Sequence, residues 1–350
     1  MSKKSVIILS SAAILLIAGV ILLFGGSKQT SNPEDYYNYI SAYTSGIISR
    51  EASITVKLTQ ACSGNQDISE IFSFDPEIEG TANWKDDQTI EFVPEEKLDP
   101  ETEYIATFGI EKLLGNESGL KPFVFRFTTI KRSMRTLILS SEPIDYSTPE
   151  FHKINGVVET SDFESVEDLS KTIKAEYGSS SLKVKWIKSD ASKKYNFVVD
   201  SVRRGSDTKF VKISWDGSKT DIEGDGVERV EIPAESVFKV MSAKVIEQPD
   251  QYVSIRFSDP LNLTQELSGL VVLGNEQNLS FDISNNEIKI FPSQKIYGNY
   301  KLKIYPGIRN SSDKVSDESW EIDLLFEDIK PAVRLVNKGV ILPNTDKGFV

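Results

Sequence analysis

Ile54-Thr55-Val56-Lys57-Leu58-Thr59 alternates apolar and polar side chains, and Val253-Ser254-Ile255-Arg256-Phe257-Ser258 repeats that alternation about two hundred residues later. A period of two puts successive side chains on opposite faces, as in a half-buried β-strand. Working outward, the first stretch is followed by Thr89-Ile90-Glu91-Phe92-Val93-Pro94, then Leu98, then Tyr104-Ile105-Ala106-Thr107-Phe108. The second is followed by Glu287-Ile288-Lys289-Ile290-Phe291-Pro292 and by Tyr300-Lys301-Leu302-Lys303-Ile304. In each series a proline closes the central strand and Gly, Pro, Asn and Asp separate the strands. Each copy spans about 80 to 90 residues, the scale of an antiparallel β-sandwich.

The 350 residues exceed a single typical core, so two to four domains are expected. The net charge of −12 is spread along the strands with both signs mixed. That excludes a nucleic-acid surface, which needs a basic stripe. His152 is the only histidine and Cys62 the only cysteine. Metal sites with two or more histidines and intrachain disulfides are therefore excluded. Neither GxGxxG nor GxxxxGK[ST] occurs, so no phosphate cradle is expected.

The remaining chemistry-bearing residues read as structural. His152, beside Phe151, is placed in a loop between domains, with a satisfied or solvated imidazole. Cys62 is read as a small buried hydrophobe. The stretch Asp216-Gly217-Ser218-Lys219-Thr220-Asp221-Ile222-Glu223-Gly224-Asp225-Gly226 is dense in oxygen ligands. It lacks the spacing of an EF-hand, so a hairpin loop is favoured over its rival, a calcium site. Glu95-Glu96 has no cleft implied around it. No catalytic, cofactor-binding or metal-ligating residue is assigned, no cofactor is expected, and the chain is not expected to be an enzyme.

Lys3 and Lys4 precede Val6 to Gly26, an uncharged run of about 21 residues rich in Ile, Leu, Val and Ala. As a helix it reaches roughly 30 Å, the thickness of the bilayer hydrocarbon. The lysines place the N-terminus in the cytoplasm and send everything after Ser27 outward. The rival is a cleaved signal peptide, for which Phe24 sits badly and Gly26 is acceptable. No cysteine near position 25 offers a lipid attachment.

The expected organisation is mainly β: a transmembrane anchor over residues 1–26, a stalk over 27–46, and a first Ig-like or macroglobulin-like sandwich over 47–130. A second β domain with an inserted helix follows over 131–240, then a third sandwich repeating the first over 241–328. In the stalk, Asn32-Pro33-Glu34-Asp35 is read as the cap of a brief helix that carries Tyr36, Tyr37, Tyr39, Ile40 and Tyr43 and stops at Gly46, the alternative being that these tyrosines lie at the lipid headgroup level. The inserted helix is read over Ser165 to Tyr177, from the spacing of Val166, Leu169, Ile173 and Tyr177. Residues 329–350, with Gly339-Val340-Ile341-Leu342-Pro343, are read as the start of a further domain.

Trp215-Asp216-Gly217, Val230-Glu231-Ile232-Pro233-Ala234 and Phe238-Lys239-Val240 are followed by Val253 to Leu261 and by Leu267-Ser268-Gly269-Leu270-Val271. Upstream stand Gly46-Ile47-Ile48-Ser49-Arg50 and Ser73-Phe74-Asp75-Pro76. In this order, after an N-terminal membrane segment, the chain resembles the N-terminal region of a bacterial alpha-2-macroglobulin family protein of the Bacteroidetes type, over about residues 45 to 345. That resemblance implies a protease trap, worked by a bait region and, in many members, a Cys-Glu-Gln thioester. Cys62 is followed by Ser63-Gly64-Asn65, so no such thioester occurs here. The segment is then expected to scaffold, to meet the membrane through its N-terminal helix, and to meet proteases only through regions beyond Val350. The alternative is a stand-alone surface module of tandem Ig-like sandwiches that binds a ligand or mediates adhesion.

Overall fold

The computed structural model describes residues 30–62, 66–114, 119–187, 193–327 and the backbone of 340–341. The chain is mainly β and divides into two compact units, residues 1–130 with 335–350, and residues 131–334. The anchor expected over residues 1–26 lies outside the described residues. Among those described, no helix is long and apolar enough to cross a membrane.

The first unit is a two-sheet sandwich. Its strands are β1 (Ile40–Thr44), β2 (Gly46–Ile48), β3 (Ile54–Leu58), β4 (Phe72–Asp75), β5 (Gly80–Trp84), β6 (Thr89–Pro94), β7 (Glu103–Phe108) and β8 (Phe123–Thr129). One sheet runs β1-β3-β6-β5 and the other β2-β8-β7-β4. Ile54, Val56 and Ile90 from one sheet meet Ala106, Phe108, Phe123 and Phe127 from the other, all with no more than 1% exposure. Each large apolar side chain so buried contributes about 1.5–3 kcal/mol. Helix α1 (Ile110–Leu114) buries Ile110 and Leu113 in the same core.

Two expectations change in this unit. The stalk helix is a single 3-10 turn, Pro33–Asp35, capped by the Asn32 side chain. From Ile40 the chain is strand β1, because Ile40, Ala42 and Thr44 alternate inward with period two and β3 supplies a partner. The first sandwich thus takes in residues read as stalk. Secondly, the reading of residues 329–350 as a new domain meets a different arrangement in the part described. There β24 (Val340–Ile341) pairs antiparallel with β1, opposing Tyr43 to Ile341 and Thr44 to Val340.

The second unit holds two sandwiches in series. The first of these comprises β9 (Met134–Pro143), β10 (Phe151–Thr160), helix α2 (Val166–Thr172), β11 (Ile173–Tyr177), β12 (Ser180–Leu182), β13 (Val184–Ile187), β14 (Lys194–Arg203), β15 (Lys209–Asp216) and β16 (Asp225–Ile232). Its sheets are β13-β14-β10-β9 and β12-β11-β15-β16. The helix is shorter than the expected Ser165–Tyr177. Ser165 does cap it, its hydroxyl accepting from Asp168 N at 3.0 Å, but Ile173–Tyr177 is strand. Ile173 and Ala175 alternate inward and pair with β15, so tertiary pairing overrides the helical spacing. The run Leu182–Trp186 divides between the two sheets as the end of β12 and most of β13. Gly156 lets Phe197 pack on the backbone: an added Cβ would stand 2.2 Å from its Cζ.

The last sandwich comprises β17 (Val240–Ile246), β18 (Tyr252–Phe257), β19 (Val271–Leu273), β20 (Leu279–Ser284), β21 (Glu287–Pro292), β22 (Gly298–Ile304) and β23 (Trp320–Phe326). Its sheets run β17-β18-β21-β20 and β19-β22-β23. Strand for strand this is the order of the first sandwich, with β2 as the addition there. Register agrees too. Ile54 opposes Phe92 and Val56 opposes Ile90, while Val253 opposes Ile290 and Ile255 opposes Ile288.

Candidate functional site

A densely bonded polar region of the second unit is the seam between its two sandwiches. Strand β14 ends at Arg203, and the backbone N–H of Arg204 then donates to the Glu150 carbonyl at 2.9 Å. The Arg204 guanidinium enters the seam, where its side chain is 1% exposed. Nε donates to Pro233 O at 3.0 Å, and Nη2 donates to Ala234 O at 2.7 Å and Val237 O at 2.8 Å. These three carbonyls belong to the segment joining the two sandwiches. Nη1 donates to Asp259 Oδ1 at 2.8 Å and to Pro149 O at 3.5 Å. Asp259, just after β18, also accepts from Ser258 Oγ at 2.5 Å. The planar fork of arginine suits this task, since its N–H groups point in fixed directions and stay charged.

A second cluster flanks the first. Glu142, at the end of β9, accepts from Arg256 Nη1 at 2.7 Å and from Asn155 Nδ2 at 2.9 Å, with Lys153 Nζ at 3.3 Å. Arg256 lies on β18, so this pair also spans the two sandwiches. Glu287 on β21 stands 3.7 Å from Arg256 Nε and bonds the Ser254 hydroxyl. Burial, then the Glu142 charge, raises the Tyr146 phenol above its ordinary value.

His152 lies in this seam, which corrects its expected loop position. It sits in β10, opposite Pro143 on β9 and Val202 on β14, and is fully buried. Nδ1 is 3.3 Å from Ser141 Oγ, while Nε2 has no hydrogen-bond partner among the protein atoms. Burial, with the Arg204 charge second, lowers its pKa to about 4. The charges of Asp259 and Glu142 and the Ser258 backbone oppose that shift without reversing it. The imidazole is therefore neutral at pH 7. A Ser–His pair also suggests acyl transfer, but Ser141 is buried as well as His152.

The other residues singled out from sequence do not converge on this site. Cys62 is half-buried against the first core and lines a cavity of about 170 Å³ with Tyr39, Leu58, Ile110 and Leu113. Asp216 caps a 3-10 turn, Gly217–Thr220, through a 3.0 Å bond from Ser218 N, and the Ser218 side chain followed by that backbone bond holds its carboxyl below the ordinary value. Its carboxylate is thus committed to the loop. Glu95 and Glu96 are exposed after β6. Among the described residues no group of three or more His, Cys, Asp or Glu is placed to hold a metal. A cleft of about 410 Å³ is lined by Tyr146, Leu261, Asn262, Leu263 and Asn285, near the Glu142 cluster.

Sequence reasoning missed Arg204 altogether. Ser258-Asp259-Pro260 was quoted in the resemblance without a role. No local signal marked Arg204, since Pro233 and Asp259, which it binds, lie 29 and 55 residues further along the chain.

No family model matches the chain, and no curated protein matches it. Solved structures similar to parts of it include SGBP-B of the Bacteroides ovatus mixed-linkage glucan utilization locus, in complex with a mixed-linkage heptasaccharide. That match has 10% identity over 81% of this chain and 66% of that one, at TM-score 0.26. The full ectodomain, Ig1–Ig3, of mouse nectin-like molecule 4 matches at 9% identity over 83% and 99%, with TM-score 0.23. L,D-transpeptidase 3 from Mycobacterium tuberculosis, in complex with a faropenem-derived adduct, matches at 10% identity over 63% and 78%, with TM-score 0.21. At TM-scores this low, none of the three decides anything about this chain.

Proposed function

We propose that this chain is a positioning segment, the membrane-proximal part of an alpha-2-macroglobulin-like protease trap built from Ig-like or macroglobulin-like sandwiches. The observation that carries this reading is the joint made by Arg204. A chain of independently tethered modules has no need of a buried ion pair with three linker carbonyls turned onto it; a chain that must hold one sandwich at a set angle to the next does. The reading has no enzymatic role for these residues. It places the sandwiches outside the cytoplasm, held by the N-terminal helix, and leaves bait and thioester chemistry to elements outside these 350 residues.

Limited thermolysin digestion of the full chain tests the joint. The linker around Pro233 to Lys239 should resist cleavage in the natural protein and be cut first in Arg204→Met, with both flanking sandwiches surviving. Equal resistance in the two proteins would sink the positioning argument. For the trap assignment, the chain by itself should leave trypsin activity on a large protein substrate unchanged, and stoichiometric inhibition would refute that division of labour.

The cleft at Tyr146 favours a second reading, a surface module that binds a ligand through one aromatic ring and the Asn262 and Asn285 amides. Titration calorimetry with soluble oligosaccharides and short peptides separates the two. Heat of binding that disappears in Tyr146→Ala would support the binding module.

A further inference from the structure

His152 is the one buried titratable ring of the seam, and its surroundings disfavour a second proton. From β9 it faces Ser141 and the Glu142 carboxylate; from the turn after β14, Arg204; from the segment after β18, Ser258 and Asp259. Both carboxylates are already engaged. Asp259 is held by Arg204 and the Ser258 hydroxyl, and Glu142 by Arg256, Lys153 and Asn155. Arg204 adds a positive charge where protonation would add another. Nε2 is buried without a hydrogen-bond partner among the protein atoms, and Nδ1 has only the Ser141 hydroxyl at 3.3 Å. An imidazolium here is desolvated and beside a guanidinium, with only the Ser258 backbone and two carboxylates already engaged elsewhere to favour it, whereas separation of the two sandwiches would give it water.

We propose that the joint between the second and third sandwiches is an acid-labile latch, released when His152 takes up a proton. This rests on the reading of the joint as a stiff coupling and adds a condition under which the coupling is lost. The sign follows from the direction of the shift. The closed joint holds the neutral ring, so its stability is complete above the ordinary histidine pKa of about 6.5. It is lost progressively as pH falls toward the folded value of about 4. If the ring recovers its ordinary value when the joint opens, the opening constant rises about 30-fold between pH 7.5 and pH 5.0. An extracytoplasmic chain meets such acidity directly, without a buffered cytosol in between.

Hydrogen exchange on the full chain tests this, after correction for intrinsic exchange rates at each pH. The reporters are the amides of Arg204, Glu235 and Ser258, bonded respectively to the carbonyls of Glu150, Gly205 and Lys239. Their protection should fall about 30-fold from pH 7.5 to pH 5.0, while the Ile255–Ile288 ladder inside the third sandwich keeps its own. In His152→Gln the fall should vanish. An equal fall in that variant would assign the effect to carboxylates and overturn the proposal, as would full protection of the natural protein at pH 5.0. Should His152→Gln not fold, the imidazole proton signals serve instead, since the chain has a single histidine. A titration midpoint near 4, below the pH range over which protection falls, supports the latch, and one near 6.5 refutes it. Amides unprotected already at pH 7.5 would instead count against the stiff coupling itself.

Discussion

Arg204→Met is the most demanding test of how the second unit is held together. Methionine fills much of the arginine volume but donates nothing. The change leaves the Asp259 carboxylate buried without its cation and strips the Pro233, Ala234 and Val237 carbonyls of their donors. Breaking a buried pair by removing one member costs about 3–5 kcal/mol, since the partner must be desolvated unpaired or take up a proton. At 2–4 °C per kcal/mol for a unit of this size, a loss of about 4 kcal/mol lowers the midpoint of its thermal transition by roughly 8 to 16 °C. Scanning calorimetry of the full chain should show that transition moving while the one belonging to the first sandwich stays in place. Removing both charges, as Arg204→Met with Asp259→Leu, should recover part of the loss, with a coupling of about 1–3 kcal/mol in the double-mutant cycle. A single-variant shift below about 3 °C, or strict additivity in the cycle, would refute the reasoning. The pair would then be an ornament of a joint held by apolar packing.

Other consequences are open to simpler measurement. Gly156→Ala puts a methyl into the ring of Phe197 and should cost about 1–3 kcal/mol in urea unfolding, with Phe197→Leu restoring part of it. Lowering the pH from 7.5 to 5.0 should cost the natural protein about 2 kcal/mol through His152 alone, and His152→Gln should remove that part of the pH dependence. Micromolar calcium should leave the melting temperature unchanged, because Asp216 already caps its own turn. Asp216→Ala should lower stability by about 1 kcal/mol as a lost cap, whether or not calcium is present. Washing membranes with alkaline carbonate should leave the natural protein in the pellet, and a mature N-terminus at Ser27 would show that residues 1–26 are a cleaved signal.

What the sequence determined by itself is what depends on neighbours along the chain. Strand faces alternate with period two whatever lies opposite, so Ile54–Leu58, Tyr252–Phe257, Thr89–Pro94 and Glu287–Pro292 were legible as strands. Ser165 was legible within the start of its helix, since a cap bonds an amide three residues away. Tertiary structure decided wherever two local patterns were both satisfied. Val166, Leu169 and Ile173 suit a helix, but Ile173 and Ala175 equally suit a strand, and β15 lying alongside settles the tie. Ile40–Thr44 turned from stalk to strand for the same reason, with β3 as the partner. The seam was beyond sequence altogether. Arg204 and Asp259 are 55 residues apart, and nothing near either one marks it for burial. A charge becomes buried only when another surface closes over it, and the partner that makes burial tolerable is fixed by that same closure. His152 follows the same logic: its neighbours in sequence read as a loop, and only the packing of β9, β14 and the segment after β18 around it took away its water.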